Sequence, residues 1–123
     1  MAWKHQINVL TTSMGTEEVV VPQTGLVLLK FSKKGCAPCA MLRSALDKVA
    51  AVDTIARRVV LLNVELENVG ERAFHAHGVR QTPTLIVMLN GAVFAKLPGF
   101  TPPDVIASTL RSVAASTVNN PVD

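Results

Sequence analysis

The sequence predicts an α/β fold: a central mixed β-sheet of about five strands flanked on both faces by about four helices. Three observations lead there. Apolar strand-like runs alternate with amphipathic stretches from residue 25 to residue 77; two further apolar runs flank Asn90-Gly91; and a capped amphipathic segment follows them.

Ile7 to Thr11 alternates apolar and polar residues, as a half-buried strand does. Ser13 to Val21 carries conflicting signals. Glu17 and Glu18 suit a short helix, Val19-Val20-Val21 suit a strand, and Pro22 ends either one; a short helix is expected. Gly25 to Phe31 has the β-branched and aromatic content of a strand covered on both faces. From Cys39 to Val52, the residues Leu42, Ala45, Leu46, Val49 and Val52 recur at helical spacing, with Arg43, Ser44, Asp47 and Lys48 opposite them. Arg58 to Leu66 reads as a strand, and Asn68 to His77 as a helix stopped by Gly78. This alternation implies parallel strands joined by crossover helices.

Thr84 to Leu89 and Ala92 to Leu97 are separated only by Asn90-Gly91, the signal for a tight antiparallel hairpin. A last helix is expected with Thr101 as N-cap, Pro102 in its first turn and Asp104 at the capping-box position. Residues 1–115 should form one domain and 116–123 a flexible tail.

Composition narrows the function classes. With 123 residues, 49% of them hydrophobic and 17% charged, the chain can hold a core without metals or multiple disulfides. A net charge of +3, with Lys33-Lys34 and Arg57-Arg58 as the only basic doublets, does not argue for nucleic acid. The longest apolar runs, Leu26 to Leu29 and Leu85 to Leu89, fall far short of the roughly 20 residues a bilayer span needs, so no membrane insertion is expected. The N-terminus shows no apolar signal-peptide core, and a cytoplasmic monomer is expected.

Cys36-Ala37-Pro38-Cys39 is the one motif that carries chemistry by itself. Two residues three apart in a first helical turn lie within the roughly 4.4–6.8 Å between Cα atoms that a disulfide needs. The helix N-terminus stabilises a thiolate through unpaired N–H groups and its partial positive charge. Cys36, just before the helix, is the expected nucleophile, and Cys39, one turn in, the resolving thiol. A metal site would need more ligands: there is no third cysteine, and His75 and His77, two apart on a helix, do not face one point. Those histidines suit the negative end of the helix dipole, Met41 and Met88 are expected in or near the core, and Trp3 as partial cover for it.

The stretch Leu28-Leu29-Lys30-Phe31-Ser32-Lys33-Lys34-Gly35-Cys36-Ala37-Pro38-Cys39 resembles the thioredoxin active-site segment, in which a central strand runs into a Cys-Gly-Pro-Cys turn. Gly78-Val79-Arg80-Gln81-Thr82-Pro83-Thr84-Leu85 is similar to the family's segment with a cis-proline opposite the disulfide, and Asn90-Gly91 is followed at a family-like distance by Gly99. The resemblance runs from Ile7 to about Leu110 and implies a thioredoxin fold. It also implies a thiol–disulfide oxidoreductase acting on protein disulfides, with electrons from a flavin- and NADPH-dependent thioredoxin reductase and no bound cofactor. Gly35, Ala37, Pro38, Thr82, Pro83, Gly99 and Phe100 would form the substrate-docking surface.

Departures from the family pattern matter as well. Gly35 stands where thioredoxins usually carry Trp, and Ala37 where they carry Gly. The buried acid that assists the second cysteine falls at Lys30, and its companion lysine near Leu61. Lys30 is therefore a candidate modulator of proton and charge at Cys39, unless its ammonium escapes to the sheet edge or pairs with Glu65. Two rival functions stand beside the leading one. A glutathione-linked glutaredoxin-like enzyme expects a Gly-Gly clamp, where Pro98-Gly99-Phe100-Thr101 offers one Gly and no acid. A binding or assembly module without turnover would tolerate the loss of the acid and the tryptophan.

Overall fold

The computed structural model describes residues 2–119. Its elements run β1 (His5–Val9), β2 (Leu26–Ser32), α1 (Ala37–Val52), a 3-10 turn (Thr54–Arg58), β3 (Val59–Glu65), α2 (Leu66–Val69), α3 (Glu71–Ala76), β4 (Thr84–Leu89), β5 (Ala92–Pro98) and α4 (Pro103–Asn119). The strands form one sheet in the order β1-β3-β2-β4-β5. β1, β3 and β2 are parallel, while β4 and β5 add on antiparallel. This is the mixed five-stranded sheet with four helices that the element order predicts.

Every residue of β2 is buried, as its unbroken apolar run requires of a central strand covered on both faces. Leu26 and Leu28 face α1 and α4, packing with Leu42, Leu46, Val49, Ile106 and Leu110. Val27, Leu29 and Phe31 face the other way, into a smaller core with Val19, Phe74 and Val79. There the rings of Phe31 and Phe74 meet edge to face, with centroids 5.1 Å apart. In the β4–β5 turn, Asn90 (φ 50°) and Gly91 (φ 83°) are both left-handed, as a type I′ turn demands. Asn90 also bonds back to the start of β2: its N–H donates to the Gly25 carbonyl and its side-chain oxygen accepts from the Gly25 N–H.

Several expectations need correction. Residues 13–21 form no helix: Glu17 sits at φ 61°, outside helical geometry, and Val19 is drawn into the core at 4% exposure. Burial of the valine outweighs the weak helical preference of the two glutamates. The helix expected over 68–77 is two short helices, because Gly70, at φ 86°, interrupts it. β1 lies earlier than Ile7 to Thr11, since its pairing with β3 runs from His5 to Val9 and leaves Leu10 exposed. At the start of α4 the Pro102 carbonyl accepts the first helical bond, from Ile106 N–H, which makes Pro102 rather than Thr101 the N-cap. α4 continues to Asn119, so the domain boundary expected after 115 falls inside a helix, and residues 120–123 of the expected tail lie outside the described residues. Trp3 is in the core, whereas Met41 is exposed.

Candidate active site

β2 ends at Ser32, and a short turn delivers Cys36 to the N-cap of α1. Cys36 and Cys39 are joined as a disulfide with their Cα atoms 5.2 Å apart. The Cys39 backbone N–H donates to Cys36 Sγ at 3.2 Å, so the first sulfur caps the helix in place of the oxygen that usually does so. Pro38 occupies the first turn, where its missing N–H costs nothing. Cys36 is half-buried and Cys39 buried, at 6% exposure. The outer sulfur therefore stands at the helix end, partly open to solvent, and the inner one is enclosed behind it.

The segment before β4 closes the other side. Cys36 Sγ lies 4.0 Å from both the carbonyl oxygen and the hydroxyl of Thr82, and the Thr82–Pro83 bond is cis. Gly99 N–H donates to the Pro83 carbonyl at 2.7 Å, bringing the end of β5 to the same place. Gly35, Ala37, Pro38, Thr82, Pro83 and Gly99 are thus gathered around one disulfide. Phe100, 40% exposed, lines a groove along α1 with Met41 and Pro103. Sequence reading missed Met41 here, although its offset from Leu42 and Ala45 on the helix turns it toward Ser44 and Lys48.

On the inner side, a cavity of about 750 Å³ reaches the disulfide and is lined by Lys30, Cys39, Arg43, Asp47, Asn63 and Glu65, among others. Lys30 is 9% exposed. Among the described residues no carboxylate reaches ion-pair distance of its ammonium, so the alternative of pairing with Glu65 is not realised. Burial pushes the Lys30 amine below its usual range, the Arg43 charge adds to this, and Glu65 and Asp47 partly oppose it. Leu61, where the companion lysine would fall, is packed in the core. Among the described residues, no group of three or more His, Cys, Asp or Glu side chains could hold a metal ion, and no helix is long and apolar enough to cross a membrane.

A helix-capping disulfide set against a strand-entry backbone on a mixed five-stranded sheet defines a thioredoxin-fold thiol–disulfide oxidoreductase. The family model of the thioredoxin-like domain matches residues 16–114. The chain is 34% identical over 95 residues to a thioredoxin of Haemophilus influenzae, an overlap of 77% of this chain and 86% of that one. It is 33% identical over 96 residues to a thioredoxin of Pseudomonas aeruginosa, covering 78% and 84% of the two chains. In fold it is similar to a mutant thioredoxin from Halobacterium salinarum, with a TM-score of 0.71 at 20% identity over 91% of this chain and 93% of that one. Malassezia sympodialis thioredoxin gives a TM-score of 0.69 at 18% identity, over 88% and 89%. The chain belongs to the thioredoxin-like family, and its activity is thiol–disulfide exchange through Cys36 and Cys39.

Proposed function

We propose that the exchange proceeds with Cys36 as nucleophile and Cys39 as resolving thiol, on disulfides of protein substrates. The Cys36 thiolate attacks one sulfur of the substrate disulfide, forming a mixed disulfide and expelling the other substrate sulfur as thiolate. The Cys39 thiolate then attacks Cys36 Sγ, expelling the second substrate thiolate and leaving Cys36–Cys39 oxidised; two electrons and, overall, two protons pass to the substrate. An extended substrate segment docks beside Thr82 and Pro83, over Gly35, Ala37, Pro38, Gly99 and Phe100. Lys30 takes the place of the family's buried acid: as a charged ammonium it stabilises the Cys39 thiolate, and as a neutral amine it accepts the Cys39 proton. The cycle needs no bound cofactor, and a flavin- and NADPH-dependent thioredoxin reductase in the cytoplasm returns the electrons to a monomeric protein.

The observation that carries this reading is the asymmetry of the pair: Cys36 half-exposed, capping the helix and 4.0 Å from the Thr82 backbone, with Cys39 buried behind it. Reduction of insulin disulfides tests it, driven first by dithiothreitol and then by thioredoxin reductase with NADPH. Turnover in both is expected. Turnover with glutathione alone, or none with any reductant, would overturn the reading.

A further inference from the structure

The cavity beside Cys39 breaks the apolar pattern of its own sheet face. Strand register sets Lys30 beside Asn63 and Asn63 beside Asn8, a polar row across β2, β3 and β1 where the row below it in β2 and β3 is Leu28 and Leu61. From the opposite wall α1 contributes Cys39, Arg43 and Asp47, four residues apart and so on one helix face. Lys33 and Lys34 join Lys30 and Arg43 in the lining, against the two carboxylates Asp47 and Glu65. Cations outnumber anions by four to two.

Two neighbouring polar groups on the floor lack protein partners among the described residues, and one of them, Asn63 Oδ1, is buried. Lys30, nine-tenths buried, has no ion pair or hydrogen bond among the described residues. Asn63, 7% exposed, donates its amide to Asn8 Oδ1 at 3.2 Å, but its own Oδ1 is buried with no partner. Adjacent across the strands stand a cationic donor without an acceptor and an amide acceptor without a donor. The buried amide oxygen costs free energy while unmet, and the ammonium beside it is free to take an anionic acceptor. An occupant that meets both must be anionic and must also carry a donor. Inorganic phosphate near neutral pH has both, as P–O⁻ and P–OH, whereas sulfate offers acceptors alone.

We propose that this cavity binds a small phosphate-type oxyanion, and that its occupancy is linked to the redox state of Cys36–Cys39. The anion sits against Lys30 and Arg43 and hydrogen-bonds Asn63. Reduction creates a thiolate that draws on the same cations, so the oxidised protein binds phosphate more tightly than the reduced one. Linkage then requires phosphate to shift the pair toward the disulfide by the same factor. The redox half of the proposal rests on the exchange chemistry proposed above, and the binding half does not.

The test titrates the oxidised full chain with inorganic phosphate at constant ionic strength, with sulfate in parallel, following the side-chain amides of Asn8 and Asn63 by NMR. Redox equilibrium in dithiothreitol buffers is then measured with and without phosphate. Saturable shifts that are several-fold weaker with sulfate and lost in Lys30→Met are expected, together with a matching several-fold change in the redox equilibrium; a tenfold change would read as about 30 mV for this two-electron couple. Arg43→Gln, at the exposed mouth, should weaken binding and serves if Lys30→Met does not fold. Absence of saturation, equal binding of sulfate, binding unaffected by either variant, or equal affinity in both redox states would overturn the proposal. Insulin reduction separates the two readings: phosphate binding without turnover leaves the site and removes the function, and turnover without phosphate binding does the reverse.

Discussion

The backbone N–H of Cys39 donates to the sulfur of Cys36 across 3.2 Å, so the buried residue of the pair supplies a hydrogen bond to the sulfur of the half-exposed one. In the reduced protein this bond and the helix-end field should favour thiolate over thiol at Cys36. Iodoacetamide should therefore alkylate Cys36 much faster than Cys39, read by peptide mass spectrometry. Cys39→Ser should accumulate mixed disulfides with substrate proteins on non-reducing gels, and Cys36→Ser should accumulate none. Equal alkylation of both thiols would reverse the assignment.

Lys30→Met should raise thermal stability and lower the reduction potential together. The substitution removes a cation carried on a largely buried side chain with no ion pair, a gain on the order of 1 kcal/mol, or about 4 °C in Tm for a domain of this size. It also withdraws the positive charge that favours the Cys39 thiolate, so the equilibrium should move toward the disulfide, and further still in Lys30→Asp. Because burial holds the folded pKa of Lys30 below its unfolded value, wild-type stability should rise as pH climbs from that depressed pKa toward about 10.4, and Lys30→Met should lack this rise. Calorimetry and redox titration read the two effects separately.

His77 makes the packing of residues 13–21 sensitive to acid. Its Nε2 accepts the Val19 N–H at 2.9 Å while its ring lies 5.5 Å from that of Phe31. Burial holds the imidazole pKa below its usual value, Lys96 adding to the effect and Glu18 opposing it. The folded state thus resists a proton that the unfolded chain accepts, so stability should be intact above the unfolded pKa of about 6.5 and fall as pH drops from there through the folded pKa. His77→Phe keeps a ring against Phe31 but strands the Val19 N–H, which should cost about 1–3 kcal/mol near neutral pH and flatten the acid dependence. Denaturant melts from pH 5 to pH 8 check both.

Gly70→Ala should destabilise the protein through backbone conformation alone. Gly70 holds φ 86° between α2 and α3, and a Cβ there would meet no atom within 4 Å. The expected loss is on the order of 1–2 kcal/mol, without loss of exchange activity, since no residue of α2 or α3 lines the cavity at the disulfide. A neutral result would mean that the junction relaxes to a continuous helix.

What the sequence determined by itself rests on signals confined to a few neighbouring residues. Asn90-Gly91 set both the hairpin and its turn type, the unbroken run of β2 announced a strand covered on both faces, and Cys36-Ala37-Pro38-Cys39 marked a helix start with two unequal sulfurs. Turn chemistry, periodicity and cap preference act over one or two turns of chain and can be read there. Tertiary structure decided the rest, because the deciding neighbour is far away in sequence. Val19 chose core over helix on account of Phe31 and His77, and Met41 was left exposed because α1 turned its other side to the sheet. Lys30 acquired its meaning only when strand register set it beside Asn63 and α1 closed over it with Cys39 and Arg43. A buried charge draws its energy from what surrounds it, and those surroundings come from β1, β3 and α1, which no local pattern around residue 30 encodes.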